Sequence, residues 1–193
     1  LMDLARLAPS NDELWGFIGE IAFEGGDLDV ARIAYTRVHE LRGPHFESLV
    51  YLGAIAADLG DAEVATGYLD AARRLAPESF LPLFILGAMA VTLGDHRLAS
   101  ELLGQALERE ETPQTLYLLG TCHLNLGHTG RAIQALRRSV ELRPESEEAL
   151  YQLGVAYLRR GWSRLALETF QQVLQLDPPR LQYQEPVRLL RLE

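Results

Sequence analysis

The side chains able to do covalent or metal chemistry are few, and their spacing is wrong for it. The five histidines are His39, His45, His96, His123 and His128, and the single cysteine is Cys122. No two of these stand three or four residues apart, the spacing that stacks ligands on one helix face. Cys122 and His123 are adjacent, and neighbouring helical residues point about 100° apart. One cysteine also excludes an internal disulfide framework. Gly25-Gly26 has no lysine with which to complete a phosphate loop, because all 18 basic residues are arginine. Glu110-Glu111 and Glu147-Glu148 are paired carboxylates, the raw material of acid–base work. Glu147-Glu148 reads instead as a helix opening, where negative charge meets the positive end of the backbone dipole. The expectation is no catalytic residue, no cofactor, no metal, and a chain that is not an enzyme.

What positions these residues follows from composition. The chain has 193 residues, 48 % of them hydrophobic, and a net charge of −9. That balance argues against a phosphate-neutralising surface, so nucleic acid is not an expected partner. Apolar runs are broken by charge or glycine well short of the roughly 18–20 residues a bilayer span needs, so no direct membrane insertion is expected. Leu, Ala, Glu and Arg favour helix, yet there are 16 glycines, each costing about 1 kcal/mol inside a helix. They must end helices or sit where helices touch.

The glycines have a period. Gly19, Gly53, Gly87, Gly120 and Gly154 recur at gaps of 34, 34, 33 and 34 residues. Gly26, Gly60, Gly94, Gly127 and Gly161 keep the same gaps, as do Ala31, Ala65, Ala99, Ala132 and Ala166. Large apolar residues travel with them: Trp15, Leu49, Leu83, Leu116 and Leu150 early in each unit, and Tyr35, Leu69, Leu103, Leu136 and Phe170 late. In the last unit, Leu150, Leu153, Val155, Ala156 and Tyr157 follow a helical period up to Gly161, a left-handed helix stop. A second helix from about residue 164 to 176 has Leu165, Ala166, Phe170, Val173 and Leu174 on its expected packed side, and Asp177-Pro178-Pro179 stops it. Gly154 and Ala166 are expected to let the two backbones approach closely. Thr112-Pro113 reads as cap and first residue of a helix. Cys122 aligns with Ile21, Ile55, Met89 and Ala156 and is expected in the core, and His123 beside it as a partly buried structural histidine.

These residues resemble the tetratricopeptide repeat family, whose pattern is W-x2-L-G-x2-Y, then A-x3-F, then P, over 34 residues. Residues 147–180 match through Leu150, Leu153, Gly154, Tyr157, Ala166, Phe170 and Pro178; residues 12–45 match through Trp15, Ile18, Gly19, Ala31 and Tyr35. The resemblance implies an all-α, right-handed superhelical α-solenoid of helix-turn-helix repeats. Five repeats are expected, over 12–45, 46–79, 80–112, 113–146 and 147–180. Residues 1–11 read as the end of a preceding, truncated repeat, and 181–193 as a C-terminal capping or truncated helix. The opening Leu1-Met2 suggests a fragment.

The resemblance also implies a partner groove lined by the first helix of each repeat. Carried over by position, it gives Val50, Phe84, Tyr117 and Tyr151 as a ladder of larger residues. Glu20, Ala54, Ala88, Thr121 and Val155 follow, then Phe23, Val91, Leu124 and Leu158, then Glu24, Asp58, Asn125 and Arg159. Acidic residues gather in the first two repeats and Arg159 lies near the other end. Chaperone-binding members hold a C-terminal carboxylate with Lys, Asn and Arg; the corresponding places here are Gly16, Glu20, Tyr51, Leu81 and Ile85, which disfavours that ligand.

The function expected is a protein–protein interaction module, a scaffold, adaptor or chaperone-like holder. Its partner would be an apolar or amphipathic protein or peptide segment, with a basic residue suited to the acidic end. The alternative is a recruiting or regulatory arm of a larger enzyme, such as a glycosyltransferase or sulfotransferase. A homo-oligomer through the terminal repeats is a further expectation, from apolar Leu1–Ala8 and Val187–Leu192. The default compartment is cytoplasmic.

Overall fold

Asn11, Asp27, Asp61, Asp95, Thr112 and Ser146 each accept a hydrogen bond from the backbone N–H three residues on. Such caps satisfy one of the orphan donors of a helix start. They open six of the ten helices found in the computed structural model, which describes residues 9–176. The helices are α1 (Asp12–Glu24), α2 (Leu28–Arg42), α3 (Phe46–Asp58), α4 (Ala62–Leu75), α5 (Leu81–Thr92), α6 (His96–Arg109), α7 (Pro113–Asn125), α8 (Thr129–Leu142), α9 (Glu147–Arg159) and α10 (Ser163–Leu176). No strand occurs among the described residues. Parts of the expected segment 1–11, the Asp177-Pro178-Pro179 stop, the helix over 181–193 and the apolar termini lie outside those residues.

The turn inside each hairpin is built the same way. At Gly60 the backbone φ is +82°, a left-handed conformation open to glycine at little cost. This lets Gly60 N–H donate to Ala57 C=O at 3.1 Å and Asp61 N–H to Ala56 C=O at 2.8 Å. The Asp61 carboxylate then accepts from Val64 N–H at 3.2 Å. One residue therefore closes α3 and opens α4.

The chain divides into two units, Leu1–Met89 and Ala90–Glu193. In the first, α1 packs on α2, α2 on α3, and α3 on α4. Trp15, Ile18, Ala34 and Val38 form one core cluster; Ala22, Ala31, Tyr35, Leu52 and Ile55 form the next. Tyr35 stacks on Tyr51 with ring centroids 4.2 Å apart. In the second unit, α6 packs on α7, α7 on α8, α8 on α9 and α9 on α10, and α7 also touches α9. Its main cluster runs through Leu124, Leu136, Leu153, Ala156, Tyr157 and Phe170. Each such large side chain contributes about 1.5–3 kcal/mol by leaving water.

The periodic alanines are fully buried, Ala31 and Ala166 among them. The mid-helix glycines act differently from the expected close approach of backbones. A Cβ on Gly154 would stand 2.6 Å from Cε1 of Phe170, and one on Gly19 2.8 Å from Cε2 of Tyr35. At Gly53 and Gly120 the obstruction is Cγ of Leu69, at 2.6 Å, and of Leu136, at 2.5 Å. The first helix thus gives up a side chain so that the late apolar residue of the second can lie flat on its backbone. Leu165 also departs from expectation: it is 42 % exposed, like Val64 and Leu98 at the same place in their hairpins. The residue before the inward alanine points about 100° away from it.

Candidate functional site

No group of three or more His, Cys, Asp or Glu able to hold a metal occurs among the described residues. Cys122 is fully buried, and burial pushes its thiol up to about 11. A thiol held protonated in an apolar site is a poor nucleophile. His123 is held below the usual histidine range, first by burial, then by the charges of Arg131 and His128. Its ring lies 5.9 Å from that of His128. Glu111, one of the candidate acid–base pairs, receives Arg138 through two bonds of 2.7 and 3.0 Å. It ties the approach to α7 onto α8, and the guanidinium lowers its pKa.

One polar cluster has no counterpart in the repeat pattern. The Ser48 hydroxyl is buried and donates to His45 C=O at 3.1 Å, while His39 Nδ1 and His45 Nδ1 lie 3.2 and 3.1 Å from its oxygen. No carboxylate completes this set, and it joins the end of α2 to the start of α3. His39 lies nine residues before Ser48 and on another helix, and His45, three before it, stands just ahead of α3, so spacing alone gave no sign of it.

The expected groove residues divide by burial. In the first unit, Glu20, Glu24 and Asp58 are exposed, and Phe23 and Ala54 half-buried. Phe23 meets Tyr51 edge-on at 5.4 Å. Val50 is buried against Leu49 and Ala72, behind the surface it was expected to line. On α5, Phe84, Ala88 and Val91 are half-buried. In the second unit, Tyr117 and Thr121 on α7, and Tyr151 and Val155 on α9, are half-buried; Asn125, Leu158 and Arg159 are exposed. Leu124 is only 3 % exposed and packs among Ala132, Ile133 and Leu136. Arg159 reaches from α9 to α7 and donates to Leu124 C=O at 2.5 Å.

Two concavities touch these residues. In the second unit a cavity of about 380 Å³ opens where α7 begins, α8 ends and α9 begins, with Tyr117, Ser139, Arg143 and Glu148 in its wall. Ser139 donates to Pro113 C=O there, at 2.8 Å. In the first unit a cavity of about 250 Å³ lies among Asp12, Glu13, Phe17, Glu20 and Glu47. Burial, Tyr51, and the charges of Glu47 and Glu20 push the Tyr35 phenol in its wall well above its ordinary value. Phe17, 58 % exposed, was absent from the expected groove set. It stands one residue past the position whose ladder was carried over, and an aromatic residue among carboxylates was the available sign.

Residues 92–173 match the family described as anaphase-promoting complex, cyclosome, subunit 3. A crystal structure of MamA is 25 % identical, with 86 % of this chain and 98 % of that chain covered at a TM-score of 0.71. YrrB, described as a TPR protein with an unusual peptide-binding site, is 19 % identical over 97 % of each chain, with a TM-score of 0.70. TTC0263, a thermophilic TPR protein of Thermus thermophilus, is 18 % identical over 94 % of this chain and all of that one, at 0.72. No curated protein matches the sequence. The ten helices fit about five tetratricopeptide repeats, and the fold is that of these neighbours.

Proposed function

We propose that this array of tetratricopeptide repeats is a protein-interaction module, without catalysis of its own, that takes a segment of a partner protein against its first helices. The repeats run over 12–45, 46–79, 80–112, 113–146 and 147–180. The observation that carries this reading is the surface of the second unit. There Tyr117 and Thr121 on α7 and Tyr151 and Val155 on α9 are half-buried on two helices that touch, the two tyrosines and Val155 pack on one core cluster, and Leu158 and Arg159 at the end of α9 are exposed. Half-buried aromatic rings with apolar and small neighbours make good anchor points, because a ring adds contact area with little loss of freedom. YrrB is described as having a peptide-binding site on the same fold, which supports a peptide or protein segment as the ligand.

The test is to select peptides from a random display library on the folded chain and measure their affinities by calorimetry. Tyr117→Ala and Tyr151→Arg are each expected to weaken selected peptides by about tenfold or more, the scale of a single anchor residue. Unchanged affinity in both variants, with helical content intact, would remove the first helices from the binding surface.

A further inference from the structure

The turn edge of the last two hairpins departs in charge from the rest of this acidic chain. The residue before the second helix is Asp27, Asp61 and Asp95 in the first three hairpins, but His128 and Trp162 in the last two. Neither Asp nor Glu occurs over 112–140 or over 149–167, although the chain holds 27 of them and has a net charge of −9. Arginines stand at this edge instead. Arg159 is engaged with Leu124 C=O and Arg164 with Glu168. No carboxylate among the described residues pairs with Arg131 or Arg160, and both are exposed.

These two arginines come from different hairpins and share one hollow. It has a volume of about 470 Å³, with the turn from Gly127 to Arg131 on one side and Arg160, just past α9, on the other. The packing of α8 on α9 brings them together. Arg160 lies over the Trp162 ring, 5.8 Å from its centroid, and the Tyr157 ring stands 5.9 Å from the same indole. A stacked guanidinium gives one face to the ring and keeps the N–H groups of its edge for a ligand. Next along the edge lies a second hollow of about 550 Å³, formed by residues 161–165. There Trp162 is 45 % and Leu165 42 % exposed. Aromatic and aliphatic surface therefore adjoins two cations that have no carboxylate of their own.

We propose that this edge docks an acidic, amphipathic segment of a partner protein. One carboxylate of the segment enters the hollow between Arg131 and Arg160, and an apolar side chain next to it covers Trp162 and Leu165. The occupant follows from charge complementarity, since neither hollow has a carboxylate in its wall. A carboxylate can take two parallel bonds from a guanidinium, and charge strengthens both. A nucleic acid strand fits worse: a run of phosphates needs cations spaced along it, and a net charge of −9 repels a polyanion. The edge is built from turn residues and includes neither Tyr117 nor Tyr151, so the inference goes beyond the reading of the first helices and does not rest on it.

The experiment uses the full chain and a blocked peptide of alternating glutamate and leucine, with the matching glutamine–leucine and glutamate–serine peptides as controls. Binding is followed by amide and indole NMR shifts. The glutamate–leucine peptide is expected to give saturable shifts centred on Gly130, Arg131, Gly161 and the Trp162 indole. The glutamine–leucine peptide should give none there, and the glutamate–serine peptide should bind about threefold more weakly or worse, having lost its apolar contact. In Arg131→Gln/Arg160→Gln the dissociation constant should rise about fivefold or more, as charge-assisted bonds are lost. Arg137→Gln, an exposed arginine elsewhere on α8, should leave it unchanged. Circular dichroism checks the fold of each variant. The proposal is overturned by no saturable shift, by equal shifts with the glutamine peptide, or by an Arg137 effect as large as that of the double variant. It is also overturned if oligothymidylate binds the same residues more tightly than the peptide. Shifts of these residues on concentrating the chain alone would assign the edge to a second copy and overturn it too. None of these results bears on Tyr117 and Tyr151, whose variants test the first helices on their own.

Discussion

The mid-helix glycines allow a prediction in which one substitution has opposite effects at two sites of one unit. Gly53 and Gly67 both lie inside helices, in α3 and α4. By propensity alone, Gly→Ala in a helix interior should gain about 1 kcal/mol at either. A Cβ at Gly67 would meet nothing within 4 Å, so the gain should be realised. A Cβ at Gly53 would stand 2.6 and 2.7 Å from Cγ and Cδ2 of Leu69, inside any real contact distance. Leu69 is fully buried, and the atom met first is a branch point, so the side chain cannot swing clear. Overpacking of this kind costs roughly 1–3 kcal/mol. A fully buried obstacle places the cost towards the upper end, which leaves a net loss of about 1–2 kcal/mol after the propensity gain. The two variants should therefore differ by about 2–3 kcal/mol, or several degrees in melting temperature for a chain of this size. Urea titrations followed by circular dichroism would measure this, with the slope checked for a single transition, since repeat arrays can unfold in parts. If Gly53→Ala proves as stable as Gly67→Ala, the glycine is not there to make room for Leu69.

Three other outcomes are expected. The His123 pKa is lowered in the folded state, so the unfolded chain takes up its proton first; this contribution is whole above about pH 6.5 and is lost as pH falls through the folded value. His123→Gln should accordingly lose less melting temperature than the wild type between about pH 7 and about pH 5. α8 starts at His128 with no side-chain cap, where α2, α4 and α6 have aspartate. His128→Asp should raise stability by about 0.5–1 kcal/mol in chemical denaturation. Cys122, buried and with its thiol near 11, should react with a disulfide reagent at mildly alkaline pH only as fast as the protein opens. Rapid labelling of the native chain would contradict that environment.

The hairpins were legible because their two demands recur. A left-handed turn residue and a small buried residue must fall at fixed distances, and Gly60 and Ala65 do so in every unit with only one residue of drift. What could not be read was the depth of each position. Val50 and Leu124 occupy the same faces as half-buried Phe84 and Val91, yet Val50 lies against Ala72 and Leu124 against Ile133 and Leu136. Position in the repeat gives direction; coverage depends on the size of side chains from other helices. The same limit hid the partner of Gly154, because a period of glycines and alanines does not say which atom fills the space. The His39–Ser48–His45 cluster escaped for a simpler reason: it occurs once.

The double duty of Asp61 has a consequence for where this chain can change length. The segments inside hairpins, such as Leu59–Asp61 and Arg160–Trp162, are three residues long in every case. The segments joining one hairpin to the next run to three, five, three and four residues, over 43–45, 76–80, 110–112 and 143–146. An insertion beside Asp61 would separate a helix stop from the helix start that shares its residue, and would spoil both. An insertion at Ala76–Phe80 meets no such shared residue. Tags, protease sites or new loops belong at the joints between hairpins, and the hairpin itself is the indivisible unit of any shortened or lengthened array.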